Sequence, residues 1–379
     1  MKRGRKLVLK IGSSTLTDAK GGIDREYLQG IANQVAAARE AGWQPIIVTS
    51  AAIASGLEVL GIKERPTDMP SLQAAASVGQ SALSASYAHA FARHGITTSL
   101  VLLTRRDTAD REAYLHARDT FSRLLDLGVV PIVNENDTVS VEQIRFGDND
   151  TLAALVACLI EADLVVILSD IDGLYTKNPA THADATLISR VERIDAGIIA
   201  GAGGVGSAVG SGGMQTKVKA ARVLMAAGIP LVVCDGHAQH AVLRAVEAPD
   251  ASAGENIGTI FVAASKAHEI TPRKLWIALG DAAHGELIVD DGAKRALVER
   301  GSSLLVVGVA SVQGDFEQDD IVNVIDSEGV IFARGRVAFS SDEVALACGR
   351  TREQLRSNRL LAELAEKPLI HRDELIVFE

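Results

Sequence analysis

Cysteine is scarce: in 379 residues only Cys158, Cys234 and Cys348 occur, far apart and without paired spacing. That excludes a disulfide framework and a cysteine zinc site, and a reducing cytoplasm is the expected compartment. Basic charge is short as well. A formal net charge of −10 argues against general affinity for nucleic acid or anionic membrane, because counterion release needs clustered Lys and Arg. No uncharged apolar stretch reaches membrane-spanning length, so no membrane partner is expected. The basic start Met1-Lys-Arg-Gly-Arg-Lys6 is followed only by Leu7-Val-Leu9 before Lys10 interrupts, too short for a signal-peptide core. Repeats and low-complexity tracts are missing. So are a Walker loop closing in Gly-Lys-Ser/Thr, a Ser-His-Asp set and a cysteine nucleophile, and the nine histidines do not coincide with the candidate loops described below.

What is present is ample apolar material, 47% of the chain, and length enough for two domains. One stretch organises the first of them. Gly201 to Lys217 holds seven glycines in seventeen positions, leaving amide groups able to converge on an anion, and the periodic run Met214 to Ala227 supplies a helix N-terminus behind them. Lys217 falls in the first turn of that helix. The helix dipole disfavours a cation there, so the lysine reads as a phosphate ligand rather than a cap.

Around this loop, strand and helix alternate. Lys6 to Ile11 predicts a buried strand ending in Gly-Ser-Ser-Thr, and Lys10 inside it is expensive without an anionic partner. Asp24 to Ala41 predicts a helix capped by Asp24 and closed by Gly42, and Gln44 to Thr49 a second strand. Small residues, Ser50 to Gly56, follow it. Leu72 to Arg93 and Asp107 to Leu127 read as helices, and Thr97 to Leu103, Val129 to Val133, Leu164 to Leu168 and Ile229 to Cys234 as strands. The run Asn134-Glu-Asn-Asp137 lies at a carboxyl strand end, where α/β folds place substrate contacts. Phe146-Gly-Asp-Asn-Asp150 precedes a helix from Thr151 to Ile160, and its cap-type residues exceed what one helix end needs.

The texture changes near residues 263–273, read as a linker. From Lys274 onward, short alternating runs such as Glu286 to Val289 and Ile321 to Ile325, with one helix from Gly292 to Glu299 and a partly helical tail, predict a small β-barrel. The expected division is therefore 1–262, a linker 263–273, and 274–379.

Two lysines far apart, an amide-rich loop and Asp/Asn at sheet edges point to phosphoryl transfer, in which catalysis is positioning plus charge neutralisation. No general base is evident. A carboxylate acceptor with a pKa of about 4 needs none at neutral pH, so an acyl phosphate is the economical product.

Leu7-Val-Leu-Lys-Ile-Gly-Ser-Ser, Ile46-Ile-Val-Thr-Ser, Val133-Asn-Glu-Asn-Asp, Phe146-Gly-Asp-Asn-Asp, Asp172-Gly-Leu-Tyr-Thr and Gly212-Gly-Met-Gln-Thr-Lys closely resemble the glutamate 5-kinase family of the amino-acid kinase superfamily. Gly285-Glu-Leu-Ile-Val-Asp-Asp-Gly-Ala and Gly301-Ser-Ser-Leu-Leu look like its carboxyl-terminal PUA domain. The resemblance implies an αβα sandwich with a mainly parallel sheet and a PUA-like barrel. It implies ATP and L-glutamate giving L-glutamyl 5-phosphate, the committed step toward proline, with Mg2+ held mostly by phosphate oxygens and water and no protein metal ligand named. Feedback inhibition by proline and a homo-oligomer are expected with it.

By the same resemblance Lys10, Lys217 and Asp150 are the catalytic residues, the lysines bracketing the phosphates and Asp150 holding them in position. Ser50, Ala51, Asn134, Asp137 and Asn149 are expected at glutamate, with Asp137 pairing the α-ammonium. Lys10, Ser169, Asp170, Ser211, Gly212, Gly213, Met214, Gln215, Thr216 and Lys217 are expected at ATP, with Tyr175 and Lys177 toward the adenine. One departure stands out: the family commonly reads Thr-Ser-Gly-Ala where this chain has Thr49-Ser-Ala-Ala52. A negative φ is expected at Ala51, which would make the alanine harmless.

Two other functions are weighed. A sibling kinase with another carboxylate substrate, such as N-acetylglutamate, would have no charge for Asp137 to pair. RNA binding through the barrel is disfavoured because residues 274–343 hold six Lys/Arg against thirteen Asp/Glu.

Overall fold

A parallel strand covered by helices on both faces has no polar side, and β1 (Arg5–Ile11) obeys this: after Arg5 every residue is buried. The computed structural model describes residues 4–18, 21–104, 110–140, 149–203, 213–250, 257–263, 271–280, 283–359 and 361–378. The chain divides into two compact units, Met1–Ser265 and Lys266–Glu379.

In the first unit β1 lies at the middle of an eight-stranded sheet. It pairs in parallel with β2 (Trp43–Val48) on one side and β5 (Leu164–Ser169) on the other, with Lys10 opposite Val48 and Ile167. Beyond β2 come β4 (Val130–Glu135) and the edge strand β3 (Thr98–Leu103), and beyond β5 comes β7 (Leu231–Asp235), all parallel. Two short strands complete it: β8 (Gly258–Phe261), antiparallel to β7, and β6 (Arg190–Val191) at the far edge. The carboxyl ends of β1, β2, β4 and β5 therefore open side by side, where loops can assemble a site.

Helices α1 (Ser13–Leu16), α2 (Arg25–Glu40), α3 (Ala52–Leu60), α4 (Met69–Ala92), α5 (Arg111–Asp126), α6 (Asn149–Ile160), α7 (Ala196–Gly201), α8 (Met214–Ala226) and α9 (Ala241–Glu247) connect the strands. Local chemistry sets their starts. Asp24, Asp68, Asp110 and Asp195 each accept a hydrogen bond from a backbone N–H in the first turn of α2, α4, α5 and α7. Helix α7 takes in Gly201, so the glycine-rich stretch begins as a helix end; residues 204–212 of that stretch, including Ser211 and Gly212, lie outside the described residues.

The pairing of α3 with α4 sets the position of the loop between β2 and α3. A Cβ at Gly56 would lie 1.8 Å from the Ala75 carbonyl oxygen, and one at Gly79 would lie 1.8 Å from that of Ala52. The two helices touch backbone to backbone, a separation only glycine allows.

The second unit is strand-rich. Its five-stranded sheet runs β10 (Val309–Gly314), β9 (Gly285–Val289), β11 (Ile321–Ile325), β12 (Ile331–Arg336) and β13 (Leu375–Val377), with β9 and β11 parallel and the other pairs antiparallel. Phe316, Phe332, Leu287 and Val324 fill its core. Helix α10 (Pro272–Leu279), capped by Thr271, starts in the last residues of the segment read as a linker and runs on beyond it, and α11 (Asp291–Arg300) is the helix expected within the barrel. Three short helices, α12 (Ser341–Ala347), α13 (Arg352–Ser357) and α14 (Ala362–Glu366), precede β13, so the partly helical tail ends by joining the sheet.

Candidate active site

Lys10 and Lys217 are 207 positions apart in sequence and meet on one carboxylate. Asp150 Oδ1 lies 2.7 Å from Lys10 Nζ, and its Oδ2 lies 3.2 Å from Lys217 Nζ. Each comes from a separate element: Lys10 from the end of β1, Asp150 from the first turn of α6, Lys217 from the first turn of α8. All three are buried, at 5%, 0% and 3% exposure for Lys10, Asp150 and Lys217. Charges this far from water persist only when matched. Burial opposes ionisation of Asp150, yet the two ammonium groups and the Thr216 hydroxyl hold its carboxyl below the usual carboxylate range. Thr216 Oγ1 donates to Asp150 Oδ2 at 2.7 Å, a contact the sequence reading did not assign, although Thr216 was expected at ATP.

A second cluster lies at the ends of β2 and β4. Asn149 Nδ2 donates to the Thr49 carbonyl (2.6 Å), to Ser50 Oγ (2.7 Å) and to Asn134 Oδ1 (3.2 Å). Asn149 thus turns its side chain toward the β2–α3 loop. Being adjacent to Asp150, it ties the two lysines and their carboxylate to Ser50, Asn134 and the loop that follows β4. Thr49 Oγ1 is 2.8 Å from the hydroxyl of Tyr87, which is fully buried on α4.

Asp137 sits in the turn after β4, half-buried. Burial, with Glu135 as a second negative group nearby, pushes its carboxyl up to about 7. Ser140 Oγ donates to Glu135, fixing that neighbour.

Ser169 ends β5 and donates to Asp170 Oδ1 at 3.1 Å, with Asp170 exposed. Gly213 caps α8, and Met214, Gln215 and Thr216 open it, so the described part of the ATP set lies at the carboxyl end of β5 and the N-terminus of α8. Tyr175 donates to Asp172 at 2.8 and 2.9 Å, and Lys177 pairs with Asp184, both on the exposed segment after β5.

The expectation for Ala51 fails. Its φ is +74°, left-handed, where the chain leaves β2 and turns into α3, whose first hydrogen bond runs from Ser55 N–H to the Ala51 carbonyl. Three residues, Thr49 to Ala51, carry the chain from strand to helix, and the last of them, at the N-cap of α3, takes the positive φ. A left-handed alanine costs about 1 kcal/mol. Ala51→Gly would relieve this but would expose about one methyl's worth of burial, roughly 0.8 kcal/mol, and add about 0.5 kcal/mol of chain entropy. Ala51→Gly is therefore expected to change unfolding free energy by less than about 1 kcal/mol in a denaturant titration, despite the strain. The site contacts the sequence reading left out are Tyr87, Thr49 and Gln80, whose Oε1 accepts from Asn134 Nδ2 at 2.9 Å; the signal available was an apolar helix carrying an unexplained glutamine beside a glycine.

A model described as the amino acid kinase family matches residues 5–235, and a PUA domain model matches residues 285–357. The glutamate 5-kinase of Anaeromyxobacter dehalogenans (strain 2CP-C) is 44% identical over 382 residues, covering 100% of this chain and 98% of that protein. That of Moorella thermoacetica (strain ATCC 39073 / JCM 9320) is 43% identical over 377 residues, with 100% and 97% covered, and that of Geobacter sp. (strain M21) is 41% identical over 377 residues, with 100% and 98% covered. The chain belongs to the amino acid kinase family and, within it, to the glutamate 5-kinases that carry a PUA domain after the kinase domain.

Proposed function

We propose that this chain transfers the γ-phosphoryl group of ATP to the side-chain carboxylate of L-glutamate, giving L-glutamyl 5-phosphate, the first step toward proline. The observation that carries this reading is the convergence of Lys10 and Lys217 on Asp150 within 2.7 and 3.2 Å. Both ammonium groups are then within reach of one triphosphate. Asp150 acts as their anchor, fixing two long side chains so that no reorganisation is needed as charge moves. The acceptor arrives ionised, so no residue need remove a proton.

The acceptor pocket is assigned to Ser50, Ala51, Asn134, Asp137 and Asn149. Asn149 and Ser50 offer polar groups at the reacting end, and Asp137 pairs the α-ammonium. Ser169, Asp170 and the start of α8 are assigned to the nucleotide, with the glycine-rich segment before α8 supplying amides. Among the described residues no cluster of three His, Cys, Asp or Glu could hold a metal, and Asp150 is engaged by both lysines. By family resemblance, Mg2+ belongs to this reading as an ion carried by phosphate oxygens and water that would neutralise phosphate charge when bound. Proline as feedback inhibitor, a homo-oligomer and the cytoplasm belong to the same reading by family resemblance. Among the described residues no helix is long and apolar enough to cross a membrane.

Incubation with ATP, Mg2+, glutamate and hydroxylamine is expected to yield the γ-hydroxamate of trapped acyl phosphate. Its absence, with N-acetylglutamate giving product instead, would move the chain to a sibling activity.

The raised Asp137 carboxyl predicts a pH dependence. With its ordinary value near 3.8 and its folded value at about 7, Asp137 is protonated below neutrality and ionised above it. Only the ionised form pairs an ammonium. The KM for glutamate is therefore expected to fall as pH rises through about 7, and the KM for ATP to stay level. Asp137→Asn should raise the glutamate KM and flatten this profile; a profile unchanged in the variant would remove Asp137 from the ammonium site.

A further inference from the structure

The hydrogen bonds around Asn134 run in one direction, and two backbone groups fix it. Glu135 N–H donates to Asn134 Oδ1 at 2.9 Å, and the Thr49 carbonyl accepts from Asn149 Nδ2 at 2.6 Å. A backbone N–H cannot accept and a backbone carbonyl cannot donate. Asn134 must therefore turn its oxygen to Glu135 and Asn149, and its amide nitrogen the other way. That nitrogen needs an acceptor where Asn134 is only 2% exposed.

Gln80 supplies it. Its Oε1 accepts from Asn134 Nδ2 at 2.9 Å, from a side chain 7% exposed on α4. The other end of Gln80 shows that this orientation is imposed: Nε2 is buried with no hydrogen-bond partner among the described residues. Turning the amide over would set NH2 against NH2. Gln80 thus leaves its own donor unmatched while it satisfies Asn134, an arrangement that packing at position 80 alone does not call for, since an apolar side chain of similar volume would bury no orphan of its own.

We propose that Gln80 is a positioning residue for the acceptor amino acid: by accepting from Asn134 Nδ2 it anchors the amide that the backbone has oriented, and so holds Asn134 Oδ1 in place for Asn149, which bonds Thr49 and Ser50. This rests on the assignment of Asn134 and Asn149 to the glutamate pocket. Gln80 acts through Asn134 and touches neither phosphate nor lysine. Gly79, its neighbour on α4, is in backbone contact with Ala52 at the far side of the same loop, so one helix turn supports the pocket from two directions.

The test is a cycle of four proteins, Gln80→Met, Gln80→Glu, Asn134→Ala and the Met/Ala double variant, with the KM for glutamate, the KM for ATP and the thermal midpoint measured for each. Gln80→Met is expected to raise the KM for glutamate about tenfold and to leave the KM for ATP and kcat within about twofold. Gln80→Glu retains an oxygen for Asn134 and should stay near the parent. In the double variant the Met substitution should add nothing to Asn134→Ala, because the residue through which it acts is gone. Additive effects in the double, equal changes in both KM values, or a Gln80→Glu variant as impaired as Gln80→Met would each overturn the proposal. If Gln80→Met does not fold, Gln80→Ser, too short to reach Asn134, replaces it with the same expectations. Failure of the underlying assignment has a separate mark: Asn134→Ala with an unchanged KM for glutamate would remove Asn134 from the pocket, whatever Gln80 does.

Discussion

Replacing Lys217 with alanine is expected to lower kcat by about 10²- to 10³-fold and to leave the KM for glutamate within a fewfold of the parent. The magnitude follows from where the charge sits. Lys217 is 3% exposed in the first turn of α8, so its interaction with a phosphoryl oxygen is not diluted by water. Its ammonium group counts most when negative charge is redistributed during transfer, which is why turnover rather than glutamate binding should suffer. The folded state should survive: Asp150 keeps Lys10 at 2.7 Å and the Thr216 hydroxyl at 2.7 Å, so no buried carboxylate is abandoned. Asp150→Asn is the sterner variant, since it removes the carboxylate from between two buried ammonium groups. Breaking such an arrangement costs about 3–5 kcal/mol. The two variants therefore separate by assay: Lys217→Ala should keep its thermal midpoint nearly intact and lose rate, whereas Asp150→Asn should lose both. Lys217→Ala with near-normal turnover would take Lys217 out of the reaction.

The trio was visible as residue types before it was visible as a site. Lys10 announces itself because a lysine inside Leu-Val-Leu-Lys-Ile breaks an otherwise buried strand, and Lys217 because a cation opens a helix that prefers anions. What local residue preference cannot supply is convergence, which was expected from the family resemblance alone. That depends on β1 lying between β2 and β5 and on α6 and α8 both starting near the end of β1, which is topology, not local preference. Strands were the easiest elements to read because buried parallel strands are unbroken apolar runs, and their ends moved by only a residue or two, as with β1 starting at Arg5 rather than Lys6. Short pairings such as β6 and β13 were missed, because two or three residues carry no periodicity. Ala51 shows another limit. The family habit of glycine at that position signals a positive φ, against the negative φ expected here; the path from β2 into α3 outweighs the methyl's preference. Gly79 in the middle of α4 was legible in principle, since an isolated glycine in a helix usually marks a close approach.

Gly79→Ala is expected to damage stability and glutamate binding together, and its control lies in the same domain. On an exposed helix, Gly→Ala gains about 0.5–1 kcal/mol of helix propensity. Gly30 in the interior of α2 is such a place: a Cβ there meets nothing within 4 Å, so Gly30→Ala should stabilise by about that amount. At Gly79 the added carbon would lie 1.8 Å from the Ala52 oxygen and 2.3 Å from the Gly56 nitrogen, both backbone atoms that no rotamer change can move. The helices must separate, and overpacking of this kind costs about 1–3 kcal/mol or more, which exceeds the propensity gain. The damage is directional. Ala52 is the first residue of α3, immediately after Ser50 and Ala51, so pushing α3 off α4 moves Ser50 away from Asn149, which now reaches its hydroxyl at 2.7 Å. The same shift strains the contact between Thr49 and Tyr87 at 2.8 Å. Thermal unfolding should therefore show a lower midpoint for Gly79→Ala and a higher one for Gly30→Ala, while steady-state kinetics show the KM for glutamate rising more than that for ATP in the Gly79 variant alone. A Gly79→Ala protein that melts above the parent would mean the two helices do not touch backbone to backbone, and the support proposed for the acceptor loop would go with them.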